Sequence, residues 1–459
     1  PCLSGPCLSL GLLNWASKLF AHFLGQQADL LTKNQANGIV FEFICGLNVT
    51  GRFAFLYINM EAQGMEDVKI LWQKFKVLYK GFCQDEWNPI FTGILVAFFS
   101  ILIATWWRPW GAVGAFRSWG DWILIKLGLY GEGVLSVIDY LDDDGMIMLT
   151  KSALFSTGSV IGIGLIAGAF ISACLGGQFA FRFPPVREYI KAVIAGVLMG
   201  IGAALAGGCN VGGMYNAIGN LSASGFAMWV GLVPGAIFGL WLLYKEMEHI
   251  TWGGGGSKTF EIPFIAQVIV GIAGLIGLIW LANYYSNFVS DDYEEAINSL
   301  PGLLLLAAAI GYAMQRGRWC MIQGFREPHM TGDAKLAKSV ALSIVIVAIG
   351  MVVLKYSVPT RLGGDPVLNP MYYVRGTFGW GGLVGGFIFG VGAMFAGGCG
   401  SGTLWRVGEG QIKLWLVVPF FALSNSLVIA LFTRFQVEEN GYLGKYVYLP
   451  DVMGYGPSL

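Results

Sequence analysis

Two cysteines, Cys209 and Cys399, close the same four-residue phrase, Ala-Gly-Gly-Cys, at 206–209 and 396–399. Each phrase ends a glycine-rich apolar run. Aligning the two cysteines also matches Gly196 with Gly386, Gly200 with Gly390, Gly202 with Gly392, Ala203 with Ala393 and Gly212 with Gly402. Glycine recurs where backbones approach closely or take a positive φ, so a repeat that survives at glycines and a thiol marks two related halves. A thiol is a soft, weak hydrogen-bond partner, and its thiolate is a nucleophile once a base or a positive charge lowers its pKa. The three histidines, at 22, 249 and 329, lie far from either Gly-Gly-Cys and have no metal-ligand spacing. Paired thiols in this setting suit brief contact with a ligand better than covalent or metal chemistry.

Such thiols need elements that carry them into an apolar interior and stop there. Gly207-Gly208 and Gly397-Gly398 can break a helix and aim backbone N–H groups at a ligand, as half-helices do. Gly212, Gly213, Gly400 and Gly402 let the chain re-enter. Composition says what surrounds them. Hydrophobic residues are 55% of 459 positions, charged residues 12%, and the mean hydropathy is +0.63. A soluble domain carries about a quarter charged residues, so most of this exterior must face lipid. Zero net charge and the lack of a basic tract exclude nucleic acid as a partner. Eight cysteines placed in apolar runs read as free thiols rather than a disulfide scaffold.

Apolar runs near 89–107, 154–175, 190–206, 226–244, 262–282, 301–314, 339–354, 381–396 and 413–433 predict spanning helices. The 38–58 stretch is weakened by Glu42, Asn48 and Arg52, and 8–24 is amphipathic enough to lie on the interface. The expectation is nine to eleven membrane segments, several short or broken by glycine, in an all-α polytopic protein of two pseudo-symmetric halves. The first half covers 38–245 and the second 262–435, with an N-terminal segment at 1–37 and a tail at 436–459. The connector at 246–261 contains GGGGS at 253–257, a native loop or a fusion scar. The chain starts Pro-Cys rather than Met, which suggests that the true start lies elsewhere.

A second match supports the halves. Gly317-Arg318-Trp319-Cys320-Met321 parallels Gly51-Arg52-Phe53-Ala54-Phe55. These motifs are 266 residues apart, against 190 for the cysteines, so the first half carries 76 extra residues, assigned to an insertion at about 108–150. Trp106, Trp107, Trp110, Trp119 and Trp122, beside Arg108 and Arg117, read as an interfacial aromatic belt.

AGGCNVGG at 206–213, AGGCGSGT at 396–403 and GRWCMIQGFR at 317–326 resemble the YeeE/YedE family of membrane proteins, and WGAVGAFRSWGDW at 110–122 is similar in flavour. The resemblance covers most of 38–435. It implies uptake of thiosulfate or a related sulfur or selenium species, with thiols lining a narrow path. Matched onto this sequence, Cys209 and Cys399 are the paired thiols and Cys320 a further relay. Ala54 stands where the first half would have a counterpart of Cys320, and Met60 where it would have one of Arg326.

The residues fit such a path on physical grounds. An anion crossing hydrocarbon must replace its hydration shell, and a fixed charge at mid-membrane would hold it too tightly to release. The expected path is Cys209, Cys399 and Cys320 with Gly207, Gly208, Gly397 and Gly398, while Arg318 and Arg326 draw the anion to one mouth. Arg406, seven residues past Cys399, is another mouth candidate. The expected protein is a multi-pass inner-membrane transporter rather than an enzyme, with no prosthetic group, no metal and no GxxxxGK[ST] phosphate loop. Its partners are a small sulfur-containing anion and the bilayer, with a soluble sulfur carrier or a larger membrane complex as further candidates. Two other classes stay open: a non-transporting subunit of a sulfur-metabolism complex, and a membrane-embedded sulfurtransferase carrying a persulfide.

Overall fold

The computed structural model describes residues 64–129, 153–249, 256–287, 298–357, 376–437 and 440–458. The 38–58 stretch, Ala54, Met60, the acidic run at 142–144 and most of the GGGGS connector lie outside the described residues. Residues 73–459 form one compact unit; of the other, 1–72, the described part is the start of helix α1.

The predicted spans are all helical. In chain order the described α-helices are α1 (Gly64–Tyr79), α2 (Pro89–Trp106), α3 (Val113–Lys126), α4 (Thr157–Leu175), α5 (Val186–Leu205), the short α6 (Asn216–Gly219), α7 (Ala223–His249), α8 (Phe264–Ser286), α9 (Leu300–Arg316), α10 (Met321–Met330), α11 (Lys335–Val352), α12 (Trp380–Ala396), α13 (Gly400–Gly408), α14 (Ile412–Arg434), α15 (Leu449–Met453) and α16 (Tyr455–Ser458). Among the described residues, eight stretches are long and apolar enough to cross a membrane. The 17-residue α9 is shorter, yet it is buried along most of one side against α4 and α2. The large apolar residues left exposed, such as Ile269, Ile276 and Trp280 of α8, cover the outer helix faces as lipid requires. The chain is an all-α, multi-pass membrane protein. Its small strands, β1 (Ala180–Phe183) and β2 (Lys258–Glu261), form one antiparallel pair at a helix end.

Local chemistry sets the helix ends. Asn88 caps α2, its side chain accepting from the Ile90 N–H at 2.9 Å with proline next in line, and Ser156 caps α4 through the Ser159 N–H at 3.1 Å. α3 lies inside the expected insertion at 108–150 and packs between α4 and α14. Trp110 is not part of an interfacial belt: it is 1% exposed and donates Nε1–H to Ser100 Oγ at 2.7 Å, because a buried indole must find an acceptor.

The helices pair across the halves by exchange. α5 packs on α14 and α12 on α7; α2 packs on α11 and α9 on α4; α3 meets α14 as α10 meets α7. The repeated glycines make these contacts. A Cβ on Gly200 would fall 2.8 Å from the Asn425 nitrogen of α14, and one on Gly390 would fall 2.7 Å from the Leu232 oxygen of α7. Where α5 crosses α12, Gly202 faces Gly385 and Phe389 while Gly392 faces Ala195 and Met199. Rising numbers on one helix meet falling numbers on the other, so these matched helices run antiparallel. A twofold relating antiparallel helices lies across them, in the membrane plane, which is the symmetry of an inverted repeat.

Interhelical bonds define two faces. On one, Trp87 N–H donates to the Arg316 oxygen at 3.0 Å, and Tyr79 OH to the Leu175 oxygen at 2.6 Å. On the other, Trp106 Nε1–H donates to the Ser299 oxygen at 3.1 Å, and Tyr285 OH to the Leu154 oxygen at 2.9 Å. Among the described residues the first face carries Lys76, Lys80, Arg187, Lys191, Lys245, Lys258, Lys335 and Lys338; the second carries Arg108, Arg117, Lys126, Lys355, Arg434 and Lys445. An excess of Lys and Arg marks the cytoplasmic side. A cysteine introduced as Lys335→Cys is therefore expected to react with a membrane-impermeant maleimide only after cells are broken; labelling in intact cells would reverse the orientation.

Candidate functional site

The site forms where four helices start inside the bundle. α5 enters from the basic face and ends at Leu205; the chain then turns on Gly207, at φ 71°, and Cys209 stands in extended conformation before a π-helical turn at Asn210–Tyr215. That turn and α6 lead out to the opposite face, where α7 begins. α12 repeats the manoeuvre in reverse. It ends on Gly397, left-handed at φ 80°, Cys399 follows as N-cap, and α13 leads out to the basic face. Glycine takes these two turns without steric cost. α10 begins on Cys320 and α3 on Ala112, both buried.

The three thiols predicted from sequence come together. The Cys320 and Cys399 sulfurs are 3.7 Å apart. A Cβ on Gly402 would meet both, at 2.8 and 3.2 Å, so the helix presents bare backbone to the pair. Cys209 reaches the same region, its sulfur 3.1 Å from where a Cβ on Gly400 would sit. All three are 0% exposed and reduced. Each sulfur faces backbone donors at a helix start: Gly402 N–H donates to Cys399 at 3.3 Å, and Cys209 faces the N–H groups of Val211 and Gly212 as well as Ala112 and Val113 of α3. These are the orphan donors of helix N-termini, where partial positive charge gathers. Four such ends converging on soft thiols make an environment that favours an anion.

Gly207, Gly208, Gly397 and Gly398 lie in the two turns. The first-half counterpart proposed at 51–55 is outside the described residues. Within them, the place opposite Cys320 is held by Gly111, which faces Gly212 much as Cys320 faces Gly402, and which follows Trp110 as Cys320 follows Trp319. Cys83 and Cys174 are buried away from this cluster; burial alone pushes no chemistry onto either, and Cys174 packs against Gly271.

The arginines are distributed differently from a simple mouth. Arg318, at a positive φ of 50°, ion-pairs with Glu409 at the end of α13 and lies near Glu86 at 3.6 Å. Glu409 is 0% exposed and also draws Gln315 Nε2 at 3.2 Å, Gln411 Nε2 at 3.0 Å and Arg182 at 3.5 Å. Buried Arg316 braces this lattice through Gln178 Oε1 at 2.6 Å and Ser172 Oγ at 3.0 Å. Arg318 thus stands at the basic-face end of α13 already engaged by carboxylates. Arg326 lies on α10, in a surface depression with Gln323, Glu327, Met330, Thr331 and Asp333. Arg406 reaches the second Gly-Gly-Cys turn: its Nη1 lies 3.4 Å from the Cβ position of Gly398. Sequence reasoning missed Glu409; the signal was a lone acid between two apolar helices.

Known proteins resemble this chain over most of its length. The family described as sulphur transport matches residues 8–238 and 316–459. The probable transporter YedE of Escherichia coli (strain K12) is 26% identical over 367 residues, 75% of this chain and 81% of the relative, and YedE of Salmonella typhimurium is 26% identical over 362 residues with the same coverage. The thiosulfate transporter TsuA of Escherichia coli is 33% identical over 126 residues, 27% of this chain and 33% of its own length.

The short sulfur–sulfur approach gives a direct test. Mild oxidation is expected to link Cys320 to Cys399 and leave Cys83 and Cys174 as thiols, read as one disulfide-bridged peptide pair by mass spectrometry. A link through Cys83 or Cys174 instead would contradict this geometry.

Proposed function

The chain belongs to the sulphur-transport family, and from that premise we propose that it imports thiosulfate, or a close sulfur or selenium analogue, across the inner membrane along a path lined by Cys209, Cys320 and Cys399. The observation that carries this reading is the meeting of the three buried thiols at the starts of re-entrant helices. The family's transport role sets the sulfurtransferase reading aside.

The proposed mechanism uses fixed dipoles in place of water. The anion leaves its hydration shell for backbone N–H groups at the starts of α3, α10, α13 and the Asn210–Tyr215 turn, each contributing up to about half a positive charge. Its terminal sulfur passes from one thiol to the next by weak S–H contacts that form and break readily. At the basic face, Arg318 stands paired with Glu409, so an anion must compete with a carboxylate there and is not trapped by a bare guanidinium.

Purified protein in liposomes is expected to take up labelled thiosulfate, with sulfate competing weakly. Cys399→Ala is expected to reduce the rate at least about tenfold, the loss of roughly 1.4 kcal/mol or more of path stabilisation, while the protein remains folded by size-exclusion chromatography. Uptake unchanged in both Cys399→Ala and Cys209→Ser would rule out a thiol path.

A further inference from the structure

Beside the thiols in sequence lie polar residues with unpaired, buried side-chain atoms. Asn210 follows Cys209 directly, is 0% exposed, and both its amide nitrogen and its amide oxygen lack a hydrogen-bond partner. Thr403 is 0% exposed and its Oγ1 also lacks a partner. Buried polar atoms in a membrane protein have no water to fall back on, and each one left unmade costs stability. Two neighbours on the same stretch do find partners: Asn216 donates to the Trp110 oxygen at 2.5 Å, and Tyr215 pairs with Ser343 Oγ at 2.7 Å. Asn210 and Thr403, by contrast, stand one residue from Cys209 and one helical turn from Cys399.

The spacing on α13 adds a charge. Cys399, Thr403 and Arg406 stand at i, i+4 and i+7, one face of a helix. The Arg406 guanidinium folds back along that face, with Nη1 3.4 Å from the Cβ position of Gly398, and lies against the Trp405 ring at 4.9 Å. Among the described residues Arg406 makes no ion pair with a carboxylate, in contrast to Arg318.

We infer that Asn210, Thr403 and Arg406 form an oxyanion-reading subsite next to the thiols, which binds the oxygen end of the transported anion while Cys209, Cys320 and Cys399 contact its sulfur end. This rests on the thiol-path reading and extends it. A thiol distinguishes poorly among small anions. An amide donor, a hydroxyl and a guanidinium select a species that pairs hard oxygens with a soft terminal atom, because a site built to hydrogen-bond oxygens leaves its own polar groups unpaired around a ligand that lacks them.

The test uses the full chain and the near-isosteric variants Asn210→Leu and Thr403→Val. If these polar atoms wait for a ligand, removing them leaves the thermal stability of the ligand-free protein unchanged or higher. The same variants are expected to lose the thiosulfate-induced rise in melting temperature and to raise KM for thiosulfate uptake at least about tenfold per variant, the worth of one charge-assisted or buried hydrogen bond. A fall in ligand-free stability with the thiosulfate response kept would make both residues structural and overturn the inference. Uptake lost in Cys399→Ala but unaltered in both variants would overturn this inference and leave the thiol path standing. A wild-type protein that neither binds nor transports thiosulfate would overturn both.

Discussion

The structure depends on how backbone N–H groups are satisfied where helices break inside an apolar bundle. Lipid offers no water, so a chain that stops a helix at membrane depth must bury the freed donors in protein or present them to a polar path. This protein stops four helices in one region and sets a sulfur atom, itself a poor acceptor, against three of the starts. Gly402 N–H to Cys399 Sγ at 3.3 Å is the plainest case. A weak acceptor caps the helix well enough to hold the fold and gives way easily to an anion, which is a far better partner for the same donors.

That arrangement requires backbones to approach closely around it, and the repeated glycines permit this. Gly202 and Gly392 let α5 and α12 cross, Gly200 and Gly390 seat α14 and α7, and Gly402 and Gly212 present bare backbone to Cys320 and Gly111. The inverted exchange of partners places one re-entrant turn on each side of the centre, so that the two outward helices diverge to opposite faces. The halves are unequal at their ends. Toward the basic face α13 finishes in Glu409 with its two arginines and two amides, while the corresponding stretch of the first half finishes in Gly219 beneath Val347. Polarity along the path therefore comes from side chains added to a symmetric backbone frame.

Much of this was legible in the sequence because the physics is local. Long apolar runs predict spanning helices, and a Gly-Gly-Cys at the end of such a run predicts both the break and what stands at it. The convergence of Cys320 with Cys399 was implied by family resemblance, since no local signal relates residues 79 apart. Three readings needed coordinates. Tryptophan composition does not separate an interfacial belt from a buried indole, and Trp110 is the latter. The helix at Val113–Lys126 is rich in polar and aromatic residues and reads as extramembrane sequence, yet its side chains pack on α14, with Phe116 stacked on Phe421 at 4.1 Å. Arg318 looked like a free mouth charge because Glu409, its partner 91 residues away, carries no motif.

The central claim is that the anion's sulfur end sits among the three thiols. The most direct measurement is the structure of the protein with selenosulfate, locating the selenium by its anomalous scattering. The account predicts a single selenium peak in contact with the sulfurs of Cys209, Cys320 or Cys399. A peak confined to the Arg318–Glu409 lattice, or to the Arg326 depression with the thiols untouched, would contradict it.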